Sequence, residues 1–407
     1  MKYKYYYAEA NYDNKEIENV LDVLKNNRLN LVGGEKSIDF ENKVCSIFGK
    51  KKSLFVNSCS SANLLALLSL DLENGSEVIT PSLTFSTTVA PIIQSNLIPN
   101  FIDVEIDSYL IDISRIEENI TPKTKVLMIP NLIGNIPNWK KLREIADKNN
   151  LFLIEDSADT IGTLIDDKNT GNLSDIVTTS FYASHIITCA GVGGMVCFNN
   201  EAHYNKAKML RAWGRSSALS DDDQNKKDLI DTRFKTKIEE DFYDSKYLFN
   251  EIGYNFLTSE ISAAFGLEQL NKLNFFIEKR QYFFSKIYDF FKNHSDYFIL
   301  PQFLQNVKNA WLAFPIQIKE SAPFKRIDLQ KFYELNSIQT RPIFTGNIMK
   351  QPGFKKVKFK EDIKGFNNTN LIMKNGLLIG CHNNLNDKLL VYLFEKTNEF
   401  LKLNNCL

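Results

Sequence analysis

The chain is expected to fold as an α/β protein, with a mostly parallel seven-stranded sheet between helices and a small α+β unit after it. Three observations carry this expectation. Up to about residue 200, short apolar runs alternate with helically spaced segments, which is the pattern of parallel strands joined by crossovers and covered on both faces. After about residue 290 the period shortens and the pattern becomes α+β. The 407 residues also exceed one typical core, which favours a large domain plus a smaller one.

Taken in order, helical apolar spacing covers 14–27 and 36–49, separated by Val32-Gly33-Gly34. Ser53–Asn57 is expected to be a buried strand running into Ser58-Cys59-Ser60-Ser61-Ala62-Asn63, which opens a helix continuing over Leu64–Leu70. Then come a strand at Glu77–Thr80, a helix near 84–94, and strands at Ile98–Ile102 and Lys125–Ile129. A helix over 137–148 leads to the strand Leu151–Ile154, and two more strands fit at Ile176–Phe181 and Met195–Phe198. One long amphipathic helix is expected from Thr258 into the 290s. The divisions are therefore 1–255 for the large domain, 256–290 for a connecting helix and 291–407 for the small domain. The polar stretch Ser216–Glu240, with Asp221-Asp222-Asp223 and several lysines, reads as a mobile or inserted loop.

Composition narrows the function classes. Lys+Arg and Asp+Glu are both 49, so the balanced charge argues against a nucleic-acid partner. The start, Met1-Lys2-Tyr3-Lys4-Tyr5-Tyr6-Tyr7, is not a signal peptide, and no run approaches the roughly 18 apolar residues of a membrane span. Cys45, Cys59, Cys189, Cys197, Cys381 and Cys406 form no CxxC pair, which fits reduced thiols in a cytoplasmic enzyme and no metal site.

Four segments carry chemistry. Ser58–Asn63 follows a strand and starts a helix, so free N–H groups and the helix dipole face one point suited to a phosphate. Ser60 and Ser180 could add hydroxyls there. Asp156, in Glu155-Asp156-Ser157-Ala158-Asp159, ends an apolar strand, and Phe85 lies in Pro81-Ser82-Leu83-Thr84-Phe85-Ser86. Singly these read as an N-cap, a strand-end acid and a core aromatic. The fourth segment is Ser180-Phe181-Tyr182-Ala183-Ser184-His185, followed by Gly191-Val192-Gly193-Gly194.

In this order and with these separations the segments resemble the cofactor site of the sugar aminotransferases (DegT/StrS type), a branch of the aspartate aminotransferase superfamily with the pyridoxal-phosphate (PLP) fold type I. The likeness continues through Gly253-Tyr254-Asn255-Phe256, Thr340-Arg341-Pro342, Gly346-Asn347 and Gly380-Cys381-His382, spanning about residues 10–400. It implies a cofactor held by Cys59, Ser60, Phe85, Asp156, Asp159 and Ser180, with Asp156 at the ring nitrogen and Phe85 over the ring face. Asn255 is implied to reach the phosphate of a neighbouring subunit's cofactor, hence a homodimer with shared active sites. Arg341 and Asn347 are implied on the substrate side, where the planar fork of Arg341 suits the carboxylate of L-glutamate.

Where that family places the lysine that holds PLP covalently, this chain has His185, and no lysine lies between Lys168 and Lys206. This is similar to the histidine-bearing 3-dehydratase branch, whose members act on GDP-4-keto-6-deoxymannose or CDP-4-keto-6-deoxyglucose and use pyridoxamine phosphate (PMP). The expectation is removal of the C3 hydroxyl of a nucleotide-linked 4-keto-6-deoxyhexose, a step of 3,6-dideoxysugar biosynthesis for lipopolysaccharide O-antigen. His185 would be the base. The ascarylose-type members carry an iron–sulfur cluster on cysteines just after a Trp-Gly-Arg segment. Here Trp213-Gly214-Arg215 is followed by Ser216-Ser217-Ala218-Leu219, and no cysteine lies between Cys197 and Cys381, so no cluster is expected. Tyr243-Asp244-Ser245-Lys246-Tyr247 is nonetheless closer to the ascarylose enzyme, which leaves GDP and CDP both open. Two other readings remain: a lysine-free PMP-dependent aminotransferase, and a non-catalytic nucleotide-sugar-binding homologue.

Overall fold

Seven strands build the large sheet, and the computed structural model describes residues 3–219, 230 and 233–407. From edge to edge the strands are Lys52–Val56, Gly194–Phe198, Ile176–Ser180, Phe152–Ser157, Thr124–Pro130, Glu77–Pro81 and Ile98–Ile102. Gly194–Phe198 is antiparallel to both neighbours, with Val196 opposite Leu54 and Thr178, and every other pairing is parallel. The strands Glu77–Pro81, Ile176–Ser180 and Gly194–Phe198 are buried throughout, which is why they read as continuous apolar or small-residue runs without alternation. The carboxyl ends of the parallel strands share one edge, where ligands of open α/β sheets bind. The helices Cys59–Leu68 and Ser86–Gln94 start at that edge.

The C-terminal unit is a four-stranded antiparallel sheet ordered Phe298–Ile299, Ala313–Ile318, Gly376–Gly380, Thr340–Pro342. The first residues of the chain, assigned with the large domain from sequence, pack against this sheet. Tyr5 is fully buried, bridges to Ile338 and donates its hydroxyl to the Gly380 carbonyl at 2.7 Å. Its cluster joins Phe314, Leu378 and Ile379 to Leu83, Leu132 and Ile133, so one core binds the small sheet to the active edge of the large one.

The helix expected across 256–290 is two helices, Glu260–Asn271 and Leu273–Lys292. Lys272 breaks them at φ −98°, and its ammonium is held by Glu16 at 2.7 Å and Asp13 at 2.9 Å. Apolar spacing runs through the junction, so periodicity alone could not reveal the break. Glu260, also buried, accepts N–H groups from Gly34, Lys36 and Ser37, and so caps the helix Glu35–Ile47 from outside. Of the stretch Ser216–Glu240, residues 220–229 and 231–232 lie outside the described residues. The described part contains a short turn at Ser216–Leu219 and a hairpin of Thr236–Ile238 with Asp241–Tyr243.

Candidate active site

A cavity of about 740 Å³ opens at the carboxyl ends of the parallel strands, between the two sheets. At one end lies the start of the helix Cys59–Leu68. Ser58 is extended (φ −166°, ψ 157°), and its hydroxyl accepts the Ser61 N–H at 3.2 Å, while Cys59 and Ser60 line the cavity. First-turn amides have no partner within a helix, so they are available to an anion. Gly194 makes this turn possible. A Cβ there would stand 2.3 Å from the Ser58 carbonyl carbon and 2.4 Å from the Cys59 nitrogen.

Asp156 is buried at the end of its strand with a full set of donors. Oδ2 accepts Thr88 Oγ1 at 2.8 Å and Asn63 Nδ2 at 3.0 Å, and Oδ1 accepts the Ala158 N–H at 3.2 Å. Burial raises its pKa, and these donors pull it back by favouring the anion. Asp159 accepts the Ile133 N–H at 2.8 Å, and burial pushes its carboxyl up to about 7. Ser180 lines the same cavity, its hydroxyl accepting the Tyr182 N–H at 3.3 Å.

His185 lines the cavity opposite the helix start, on the loop after the strand Ile176–Ser180. Its Nδ1 lies 2.6 Å from the Ala158 carbonyl and 3.9 Å from Asp159 Oδ1. A carbonyl can only accept, so Nδ1 carries the proton and Nε2 carries the lone pair. Burial lowers the imidazole pKa to about 4; the Ala158 carbonyl opposes that shift and the Arg280 cation adds to it. The ring is therefore neutral, and basic at Nε2, near pH 7.

The far wall comes from Phe85 and the C-terminal unit. Phe85 is 52% exposed and meets Phe344 edge-on at 6.1 Å. Arg341 lines the cavity with its guanidinium 5.3 Å from the Tyr7 ring centre. Two expected residues lie elsewhere. Asn347 is buried outside the cavity lining; it caps the turn Ile348–Lys350 by accepting the Met349 N–H at 3.1 Å and donates to Asn370 at 3.0 Å. In this structure its amide bonds within the fold, and the substrate-side role stays an expectation. Asn255 is exposed and does not line its own chain's cavity; its backbone bridges to Ala212.

The sequence reading missed Asn63, Thr88, Tyr7 and Arg280. Asn63 had a signal, since it lies four residues after Cys59 on the same helix face. Thr88 follows the expected ring aromatic by three residues, again on one face. Tyr7 had none, because its place depends on the chain's first residues reaching the C-terminal sheet.

The sequence matches the profile of the DegT/DnrJ/EryC1/StrS aminotransferase family over residues 10–397. It is 37% identical over 385 residues to the lipopolysaccharide biosynthesis protein RfbH of Salmonella typhimurium, covering 92% of this chain and 87% of that protein. To the dTDP-4-dehydro-2,6-dideoxy-D-glucose 3-dehydratase of Saccharopolyspora spinosa it is 32% identical, covering 92% and 82%. The fold superposes on E. coli GDP-4-keto-6-deoxy-D-mannose-3-dehydratase with bound hydrated PLP at a TM-score of 0.86 and 28% identity, covering 97% of this chain and 100% of that one. A GDP-4-keto-6-deoxymannose-3-dehydratase with a trapped PLP-glutamate geminal diamine gives 0.85 and 29%, covering 97% and 100%. The chain belongs to the DegT/DnrJ/EryC1/StrS aminotransferase family.

Proposed function

We propose that this protein is a PLP/PMP-dependent 3-dehydratase of a nucleotide-linked 4-keto-6-deoxyhexose, with His185 as its base. The observation that carries the reading is the neutral imidazole in the cofactor cavity, with Nδ1 tied to Ala158 and Nε2 left basic. The named 3-dehydratases among the relatives support the reaction class.

The residues present fit PLP. The helix start at Cys59 and Ser60 offers amides to the phosphate, and Asp156, already given three N–H or O–H donors, suits a protonated ring nitrogen. Phe85 would cover the ring. Bound PMP supplies the amine that engages the sugar ketone and a ring that accepts electrons. With PMP held there, His185 Nε2 would take the proton from the carbon joining the amine to the ring, and the imidazolium so formed would give it to the C3 hydroxyl, which would leave as water. A lysine here would instead hold the cofactor and return a proton to the sugar, completing an amine transfer. Asp159, close to the imidazole, favours the cation that forms after the proton is taken. Arg341 is proposed to hold the carboxylate of glutamate as amine donor, which agrees with the glutamate trapped in one solved relative. The nucleotide is GDP or CDP, with the dTDP-linked substrate of one relative as the third choice to assay.

The test is incubation with PLP, glutamate and CDP-, GDP- and dTDP-4-keto-6-deoxyhexoses, followed by mass spectrometry. A 3-deoxy ketone with released ammonia is expected. An amino sugar would make the protein an aminotransferase, and failure to bind PLP would make it a non-catalytic homologue. His185→Asn should retain cofactor and lose dehydration by roughly 10²–10⁴-fold.

A further inference from the structure

Among the described residues, Arg280 is a buried cation that no carboxylate pairs with. It lies on the apolar stripe of the helix Leu273–Lys292, between Phe276, Ile277, Phe283 and Phe284, and is 1% exposed. Its recorded hydrogen-bond partners are uncharged oxygens. Nη1 donates to the carbonyls of Trp311, Leu312 and Cys381 at 2.9, 3.1 and 2.8 Å. Nε donates to Asn383 Oδ1 at 3.0 Å, and Nη2 donates to the carbonyl of His185 at 3.3 Å. Trp311 and Leu312 lead into one strand of the small sheet, and Cys381 and Asn383 follow another. A charge left without a counterion in an apolar core is costly, so its retention calls for a reason.

We propose that Arg280 is a positioning residue that ties the backbone of His185 to the small sheet, fixing the base in the cavity beside a permanent positive charge. The guanidinium spreads five N–H donors over a rigid planar fork and here makes five contacts to three chain segments; an ammonium has three donors at one point on a flexible stem and cannot reproduce that set. The charge acts on the imidazole by repelling a second proton, which agrees with the lowered His185 pKa. Asp159 Oδ1 stands 3.9 Å from Nδ1, and burial keeps its carboxyl neutral in the range where the imidazole titrates. Tyr182 meets the imidazole edge-on at 6.2 Å. Tyr7 and Arg341 line the same cavity, the Cys381 carbonyl accepts from Arg280, and burial, with the Arg280 charge added, lowers the pKa of His382. Arg280 is thus the cation bonded to the backbone of the base.

The inference rests on His185 being the base, and its test is separable from that reading. The chain has four histidines. Labelled histidine in the full-length protein without cofactor can be titrated by NMR, with His185→Asn identifying the signal. The wild-type imidazole should titrate near 4. In Arg280→Met it should rise by on the order of one pH unit, because a nearby positive charge has been removed. In Arg280→Lys the charge remains, so the titration should stay in place. Dehydration by the loaded Lys variant should nevertheless fall about tenfold in kcat, with KM for the sugar little changed. An unmoved titration in Arg280→Met, or a wild-type kcat in Arg280→Lys, overturns the proposal. If the Met variant does not fold, the Lys variant alone decides through the kcat and KM pair. The titration needs neither cofactor nor sugar, so it reads out even if the reaction proves not to be dehydration.

Discussion

At the scale of single residues, His185 and Asp159 form the chemically informative pair. Without a lysine at position 185, PLP should be held without a covalent bond. Dialysis should remove it, and borohydride should leave no PLP on the chain; a stable adduct at another lysine would falsify this. His185→Lys should restore covalent attachment, scored by the same reduction. Asp159 has a folded pKa near 7 against about 3.9 for a free carboxyl. A raised acid favours the protonated folded state, so its stabilising contribution is full below about pH 4 and lost as pH rises toward 7. Asp159→Asn keeps an oxygen for the Ile133 N–H and has no charge to bury. Without cofactor this variant should be more stable than the parent at pH 8, by on the order of 4 kcal/mol, with the gap closing toward pH 4. Urea titration at the two pH values checks it, and a constant gap would refute it. His185 itself was legible in the sequence because a missing lysine shows in the residue order. Its tautomer was not, because that depends on the Ala158 carbonyl across the strand end.

At the scale of elements, the proposed phosphate cradle depends on a close approach between a helix start and a neighbouring strand. Gly194→Ala would place a carbon 2.3 Å from the Ser58 backbone, and backbone has to move to relieve it. We expect PLP affinity to fall by tenfold or more, beyond a stability loss of about 1–3 kcal/mol. Fluorescence titration with PLP beside thermal melting separates the two effects, and intact affinity would place the phosphate elsewhere. The seven strands of the large sheet were legible because each is a short apolar run between turn or helix signals. The break at Lys272 was not, since it is fixed by Glu16 and Asp13 from the far end of the domain while apolar spacing continues unbroken. The side-chain bonds of Asn347, to the turn that follows it and to Asn370, were likewise not legible, because Asn370 lies on a helix 23 residues later.

At the scale of the whole molecule, the single chain leaves Asn255 exposed and outside its own cavity lining, near in sequence to exposed Ile252, Phe249 and Tyr247. That arrangement suits a residue that serves the other subunit of a dimer. Losing one hydrogen bond to an anion costs roughly 1.5–3 kcal/mol, so Asn255→Ala should weaken PLP binding about tenfold or more. Mixing Asn255→Ala chains with His185→Asn chains should recover activity, because one hybrid site then carries neither lesion. No recovery despite proven subunit exchange would refute shared sites. Iron is a second global test. All six cysteines are free and five of them are buried, and among the described residues no group of three or more His, Cys, Asp or Glu could hold a metal. Anaerobically purified protein should contain no stoichiometric iron; two irons per chain would restore a radical route. Among the described residues, no helix is long and apolar enough to cross a membrane.

The pairing of the chain's first residues with its last sheet has a consequence for how the protein is made. Tyr7 donates its N–H to Gln339, 332 positions later, and Tyr5 reaches Gly380 across 375. During synthesis the segment that supplies one wall of the cavity leaves the ribosome long before its partners exist. The large sheet can assemble meanwhile, yet its active edge stays unroofed until the C-terminal strands emerge and close a loop nearly as long as the chain. Such closure is slow, and it exposes Leu83, Leu132 and Ile133 to water for that interval. Cofactor capture should therefore be a late event in biogenesis, and a nascent chain halted before Gly380 should have a sheet but no site.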